Sequence, residues 1–221
     1  VNYKIEIYDS VGCVSTSNIK GDVFQDITPP NVPVLDSVSV SLNTGQSILG
    51  WEASSYNDTQ GYIIYQLFSG IWIPVDTVWG LNNTFYTNTN STPASGSEAY
   101  RVAAFDSCFN TSPLSPDQKT IHLHIIFDPC QGSITLNWTP YINSYIVLGG
   151  YKIWVQENNG VVTLLDSVNS SITNYTHNAL TPHSQYCYYI QAYDDISGGR
   201  LFSSSSNKEC VLAAIPKQPE Y

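Results

Sequence analysis

The chain has 221 residues, of which only 12% are charged and 13% are aromatic. Its 8 Lys and Arg against 18 Asp and Glu give a net charge of −10, which argues against a protein that binds nucleic acid or anionic membranes, because both need clustered cations. No apolar run reaches the length of a membrane span, and the sequence shows neither a signal peptide nor any Met, so we expect a segment of a longer chain.

Short runs of alternating apolar and polar residues predict strands along the chain, as in residues 134–138 and 151–155. A strand that buries one face needs this period of two, because successive side chains point to opposite sides of the sheet. Turn-forming residues separate the runs, for example at residues 43–45, 158–160 and 198–199. The pattern predicts an all-β sandwich protein.

The first 27 residues match the end of a later repeat. The matching positions are Tyr3 with Tyr100, Ile5 with Val102, Ile7 with Ala104, and Asp9 with Asp106. We therefore interpret residues 1–27 as the last two strands of a truncated module whose other strands precede this chain, because a lone two-stranded hairpin is only marginally stable in water.

The rest of the chain contains two copies of one pattern, offset by about 90 residues, which suits a seven-stranded sandwich module. The paired landmarks are Trp51 and Trp138, residues 61–65 and 150–154, residues 76–78 and 166–168, residues 84–87 and 173–176, and residues 100–106 and 188–194. These landmarks predict complete modules at residues 28–121 and 122–216, which we call the second and third modules, the truncated one being the first. Residues 217–221, which with Pro216 resemble residues 28–33, are expected to be the linker to a further module.

The third module carries a family signature. Residues 180–186, Leu-Thr-Pro-His-Ser-Gln-Tyr, resemble the L-x-P-x-x-x-Y signature of fibronectin type III modules, and Trp51 and Trp138 resemble the core tryptophan of that family. The resemblance implies tandem immunoglobulin-like (fibronectin type III) β-sandwiches, in which the hydroxyl of the signature tyrosine bonds back to the backbone and forms a corner. In the second module, Ser91 and Glu98 stand at the Leu and Tyr positions of the signature.

Residues 104–108 and 130–138 also resemble the repeats of very large surface and secreted proteins of gliding bacteria. Those chains usually end in a gliding-motility-associated sorting domain that feeds type IX secretion. The resemblance implies a bacterial chain that is secreted or displayed at the cell surface, with the neighbouring modules of the same chain as its first partners.

Five Cys occur, and none has the CxxC or Cys/His spacing of a zinc site. Cys187 and Cys210 are equidistant from the Gly-Gly turn, so a hairpin there would place them opposite each other, which predicts a disulfide. A second bridge, between Cys108 and Cys130, would clamp the second module to the third. Cys13 is either free or paired with residues outside this chain. Together the cysteines indicate an oxidising, extracellular location.

No constellation in the sequence predicts catalysis, a metal site or a cofactor. His122 and His124 would share one face of a strand, but no third ligand has a suitable spacing, so a structural or surface role is favoured. Asp9, Asp106 and Asp194 end equivalent strands and are interpreted as turn-forming residues, since no D-x-D-x-D-G calcium loop is present. The sequence lacks a G-x-S-x-G nucleophile elbow, and small repeated sandwiches leave little room for a sealed site, so we expect no enzymatic activity.

Three tryptophans are the candidate ligand contacts. Trp154 should point outward from its strand, and Trp72 and Trp79 have no Trp counterpart in the third module. Exposed aromatic rings can stack on sugars or anchor a protein partner. The alternative, which we favour, is that the three rings cover a neighbouring strand or a junction between modules.

Two kinds of candidate glycosylation site occur. The N-x-S/T sequons begin at Asn57, Asn82, Asn90, Asn110, Asn137, Asn169 and Asn174. Asp-Ser/Thr-Val triplets resemble the O-glycosylation signal of the bacterial group named above, and their hydroxyl residues are Ser10, Ser37, Thr77 and Ser167. In an Asn- and Thr-rich bacterial chain, chance composition is the alternative explanation of the sequons. Strand-end geometry explains equally well the two triplets that are equivalent in the repeat.

The sequence therefore predicts a non-catalytic spacer in a long extracellular or cell-surface protein, which presents adhesive or sorting domains away from the cell. The alternative is an adhesin module that binds a surface glycan or protein through its outward aromatic rings. A lower alternative is an accessory module of a secreted glycan-degrading enzyme whose catalytic domain lies outside this segment.

Overall fold

The computed structural model describes residues 2–21, 26–194 and 203–216, and the chain forms strands, turns and irregular segments in these ranges. Within them, no helix could cross a membrane. The predicted all-β fold of tandem sandwiches is confirmed. The predicted turn at residues 198–199 and the predicted linker at residues 217–221 lie outside the described residues.

The first segment is a hairpin in two parts. It contains β1 (Asn2–Tyr3), β2 (Glu6–Tyr8), β3 (Val14–Thr16) and β4 (Lys20–Gly21). β1 pairs with β4 and β2 pairs with β3, both antiparallel. The side chains of Tyr3 and Ile7 are 60% and 67% exposed, so the apolar face of this hairpin is open to solvent.

The second module is a sandwich of two sheets. Its strands are β5 (Leu35–Val40), β6 (Ser47–Trp51), β7 (Thr59–Phe68), β8 (Ile71–Trp79), β9 (Phe85–Asn88), β10 (Ala99–Asp106) and β11 (Gln118–Lys119). One sheet has the order β5-β6-β9 and the other the order β11-β10-β7-β8. The period of two along these strands turns one set of side chains inward. The buried core consists of Leu35, Val38, Leu49, Trp51, Tyr62, Ile64, Tyr100, Val102 and Ala104.

The third module repeats this arrangement. Its strands are β12 (Leu123–Asp128), β13 (Ser133–Trp138), β14 (Leu148–Glu157), β15 (Thr163–Asn169), β16 (Asn174–His177), β17 (Gln185–Asp194), β18 (Ser203–Ser205) and β19 (Glu209–Leu212). One sheet has the order β12-β13-β16, and the other has the order β15-β14-β17, with β18 and β19 both paired to β17. Its core includes Trp138 and Tyr151, whose rings meet edge to face as Trp51 and Tyr62 do in the second module.

A backbone-to-serine hydrogen bond recurs in all three segments. The contact joins Ile5 N–H to Ser17 Oγ at 2.9 Å, Val102 N–H to Ser115 Oγ at 3.0 Å, and Ile190 N–H to Ser206 Oγ at 2.9 Å. The first hairpin thus has the local bonding of the last two strands of each complete module. This agreement supports the interpretation of residues 1–27, while the module boundaries stay a prediction.

Side chains link the first strand of the third module to its last strands. The Leu123 N–H donates to Asn207 Oδ1 at 2.7 Å, and Asn207 Nδ2 donates to the Leu123 carbonyl at 2.9 Å. Two residues further along, the Ile125 N–H donates to Glu209 Oε2 at 3.0 Å. These three bonds hold β12 against the segment that contains β19 without a backbone ladder between them.

The corner implied by the family signature is present in the third module. The Tyr186 hydroxyl accepts a hydrogen bond from the Thr181 N–H at 2.8 Å and donates one to Glu157 Oε1 at 3.2 Å. The ring of Tyr186 is buried, so these bonds satisfy a hydroxyl that has little access to water.

Candidate functional site

Cys187 and Cys210 are directly opposite each other on β17 and β19 and form a disulfide. Their equal distance from the predicted turn is the sequence signal that identified them. The disulfide therefore links β17 covalently to its neighbouring strand β19 in the third module.

The predicted bridge between Cys108 and Cys130 is not formed, which corrects that prediction: both residues are exposed free cysteines, as is Cys13. Cys108 follows the end of β10. The chain leaves the module through β11, which pairs with the start of β10. Because β10 has eight residues, its two ends are about 25 Å apart at the usual rise of a strand. Cys130 follows the end of β12, about 20 Å beyond the point where the third module begins. Each thiol is therefore about a strand length from the connection between the modules.

Two of the three candidate tryptophans are covered by neighbouring side chains. The Arg101 guanidinium carbon lies 4.4 Å from the centre of the Trp72 ring, and the same guanidinium contacts Asp117 at 3.2 Å. Trp154 stacks on Tyr189 with ring centres 6.0 Å apart. These contacts favour the interpretation that both rings cover neighbouring side chains of their own sheet.

Trp79 differs from the other two because it is 57% exposed. Its ring meets Phe105 edge to face at 5.1 Å, and Phe105 stacks on Phe109, which is itself 71% exposed. Phe109 has a φ of 64°, a backbone conformation that bulky L residues seldom adopt. The sequence analysis did not identify Phe109. The available signal was its position in the turn that follows a predicted strand, where an aromatic side chain is expected to be exposed.

Three carboxylates meet beside this aromatic pair. Carboxylate oxygens of Asp26, Asp58 and Asp106 lie within 4.8 Å of one another. Burial opposes ionisation of Asp106, but hydrogen bonds from the Asn110 side chain and from the Asn110 and Cys108 N–H groups outweigh it and lower the pKa of this carboxyl. Asp106 thus has the turn-forming role predicted for it, and we assign no ion to the cluster because these donors already occupy both of its oxygens.

His122 and His124 have different partners. The Nδ1 atom of His122 lies 3.0 Å from the Pro93 carbonyl oxygen, while that of His124 lies 3.7 Å from Glu209. The two Nδ1 atoms therefore have different neighbours, and the structural or surface role of these residues stays a prediction.

The candidate glycosylation sites stay predictions. Among the sequons, Asn57, Asn82, Asn90, Asn169 and Asn174 are exposed, and Asn110 and Asn137 are half-buried. Among the triplet hydroxyls, Ser10, Thr77 and Ser167 are exposed and Ser37 is half-buried. The amide of Asn110 already donates to Asp106 and to the Asp26 carbonyl, which makes it the least available of the sequons.

The third module contacts the edge of β5 in the second module. Ser204 Oγ donates to the Val38 carbonyl at 2.7 Å, and the Ser205 N–H donates to Ser39 Oγ at 2.8 Å. Two residues before Val38 on the same strand, the Asp36 carbonyl accepts a hydrogen bond from Asn143 Nδ2 at 2.7 Å. We call this contact region, together with Gln118 and Tyr141, the junction; sequence analysis did not identify it.

Tyr141 is the largest side chain of the junction and is only 5% exposed. Its hydroxyl donates to Gln118 Oε1 at 3.2 Å, and Gln118 Nε2 donates in turn to the Leu35 carbonyl. Burial raises the pKa of Tyr141 well above its ordinary value. The phenol is therefore neutral and able to donate throughout the physiological pH range.

Comparison with known proteins finds a family match in the third module. Residues 121–208 match the family model of the fibronectin type III domain. Among solved structures, the chain is similar to the crystal structure of chicken CNTN1 FN1-FN3 domains, with 17% identity and a TM-score of 0.36 over 96% of this chain and 77% of that chain. No curated protein matches the sequence. The sequence match thus concerns the third module, which is similar to fibronectin type III domains, and the distant structural likeness carries no argument.

Proposed function

We propose that this chain is a non-catalytic structural segment of a long extracellular or cell-surface protein, in which consecutive sandwich modules hold other domains apart. The observation that carries the proposal is that each complete module has a separate hydrophobic core and that the buried Tyr141–Gln118 contact joins the two modules. A segment built in this way keeps its length and direction without a ligand. The Cys187–Cys210 disulfide supports an oxidising location, since such bonds persist outside the cytosol.

The resemblance of residues 104–108 and 130–138 to repeats of gliding bacteria extends this proposal to a bacterial chain exported by type IX secretion. In such a chain, the modules would separate adhesive or sorting domains from the cell. The acidic balance of the sequence, with a net charge of −10, favours a well-solvated stalk.

A second candidate function is binding of a surface glycan or protein, and the exposure of Trp79 together with Phe109 is the observation that favours it. Both rings contact Phe105, and exposed aromatic rings can pack against a sugar ring or against an apolar side chain. This site would use a turn at one end of the second module, away from the covered Trp72 and Trp154.

A glycan array with the full chain, its Trp79→Ala variant and its Phe109→Ala variant distinguishes these functions. We expect no glycan to bind, as a structural segment requires. Binding that either substitution abolishes would overturn the structural proposal in favour of the adhesin. Trp72→Ala is the matched control, because that ring is covered by Arg101 and its loss should not alter a surface site.

A further inference from the structure

We infer that the second and third modules form one rigid block in which Tyr141 fixes the angle between them. The inference rests on the proposed structural function and adds that the mechanical unit is a pair of modules. A spacer of independent modules would swing at each connection, whereas a paired block keeps its direction across the junction.

The connection between the two modules is short and buried. β11 ends at Lys119 and β12 begins at Leu123, so only residues 120–122 connect them. Thr120 and Ile121 are fully buried, and the Thr120 N–H donates to the Glu98 carbonyl at 2.9 Å. The short connection therefore leaves little freedom for rotation.

The junction also caps an otherwise open strand edge. The carbonyls of Asp36 and Val38 would face water if the modules separated, but here they accept hydrogen bonds from Asn143 and Ser204. The Ser205 N–H adds a bond to Ser39 on the same edge. These bonds have donors and acceptors at fixed positions, so they fit one orientation of the third module.

Tyr141 fills a loop position that the fold itself does not require to be aromatic. The Tyr141 N–H donates to the Tyr151 hydroxyl at 2.8 Å, and in the second module the Ser54 N–H makes the same bond to the Tyr62 hydroxyl at 2.8 Å. The backbone contact is thus shared while the side chain differs. A serine at this position makes the same backbone bond in the second module, and the phenol at position 141 adds the contact with Gln118 across the junction.

The hydrogen bond of the buried Tyr141 hydroxyl restricts rotation of the third module relative to the second. A hydroxyl removed from water needs a partner, and Tyr141 finds one in Gln118 of the other module. Gln118 is itself buried and held by its bond to the Leu35 carbonyl. Rotation of the third module would break this chain of bonds and leave buried polar atoms without partners, which is unfavourable.

The free cysteines allow a direct test in the full chain. With Cys13→Ser as the background, spin labels on Cys108 and Cys130 report one position in each module, because Cys187 and Cys210 are held in their disulfide. We expect a narrow distribution of label-to-label distances. Tyr141→Ala should broaden it, and Tyr189→Ala should not, since that ring lies on the outer face of the third module against Trp154.

A distribution in the background protein as broad as that of Tyr141→Ala would overturn the inference, as would equal broadening by Tyr189→Ala. Circular dichroism establishes that each variant is folded. If Tyr141→Ala fails this check, Asn143→Ala and Tyr141→Phe replace it, because they remove polar groups that bond across the junction and keep the aromatic ring of residue 141 or leave it untouched. The outcome is separate from that of the glycan array, since a binding module could also be rigid and a spacer could also be jointed.

Discussion

The carboxylate of Glu98 accepts a hydrogen bond of 2.7 Å from the Thr92 N–H. In the third module, the Tyr186 hydroxyl accepts the equivalent bond from the Thr181 N–H at 2.8 Å. A glutamate therefore makes the corner of the second module at the position where the family signature has a tyrosine. The two residue types are interchangeable here because the corner needs an oxygen acceptor near the turn, and either side chain can place one there.

Replacement of Glu98 by Gln should destabilise the second module. The carboxylate also accepts bonds from Ser47 Oγ at 2.6 Å and from the Tyr100 hydroxyl at 2.7 Å, whereas an amide offers only one acceptor oxygen. We expect a loss of about 1–3 kcal/mol in the free energy of unfolding, measured by urea denaturation. Glu6→Gln, in the first hairpin, is the control and should leave the transition unchanged; equal stability of Glu98→Gln would contradict the prediction.

Loss of the disulfide should destabilise the third module. Cys187 and Cys210 are 23 residues apart in sequence, and a cross-link of that length restricts the unfolded chain by about 3 kcal/mol in the chain-entropy account. Cys210→Ser should lower the melting temperature, and dithiothreitol should lower that of the unmodified chain to the same extent. Cys108→Ser is the matched control, since that thiol is free and exposed; a reductant effect that persists in Cys210→Ser would contradict the assignment.

Acid should weaken the second module through Asp106. Although burial opposes its ionisation, hydrogen bonds hold its folded-state pKa below that of the unfolded chain. Its contribution to stability is therefore complete above about pH 4 and is lost as the pH falls through the folded-state pKa. Urea midpoints measured from neutral pH into this acid range should fall less steeply in Asp106→Asn than in the unmodified chain. Asp58→Asn, a neighbouring carboxylate, should retain the acid loss, and an unchanged slope in Asp106→Asn would refute the mechanism.

Gly150 should not tolerate a methyl group. A Cβ atom there would clash with the Val168 carbonyl on β15 and press on the Tyr193 side chain. We expect Gly150→Ala to cost about 3 kcal/mol, since the strand pairing leaves no room for the extra volume. Gly96→Ala is the control because its added Cβ meets no atom within 4 Å. A thermal melt in which Gly150→Ala matches the unmodified chain would contradict this prediction.

Periodicity and repetition determine what was predictable here. Alternating residues 134–138 led to β13, and the equal distances of Cys187 and Cys210 from one turn led to their pairing. Both inferences concern neighbours within one sheet, where a residue's position along a strand fixes its partner. The tyrosine corner followed from the family signature at residues 180–186.

The features that the sequence did not predict are contacts between modules and substitutions within the repeat, which the repeat pattern does not specify. The distance from Cys108 to Cys130 depends on which end of each module faces the junction, and sequence spacing alone gave no account of this. Tyr141 could have been suspected from the aligned repeats, where Ser54 occupies its position. Glu98 was noted only as a departure from the signature, although its carboxylate is the better acceptor of several bonds.

A chain of modules under tension would load the third module between its first and last strands. β12 receives the pull from one side and β19 passes it to the other, and the contacts at Leu123 with Asn207 and at Ile125 with Glu209 show that the two strands run in the same direction. Stretching therefore slides these strands past each other and strains their cross-links simultaneously. Because side chains supply these links, single substitutions at Asn207 or Glu209 could tune the force at which the module opens while its hydrophobic core stays the same.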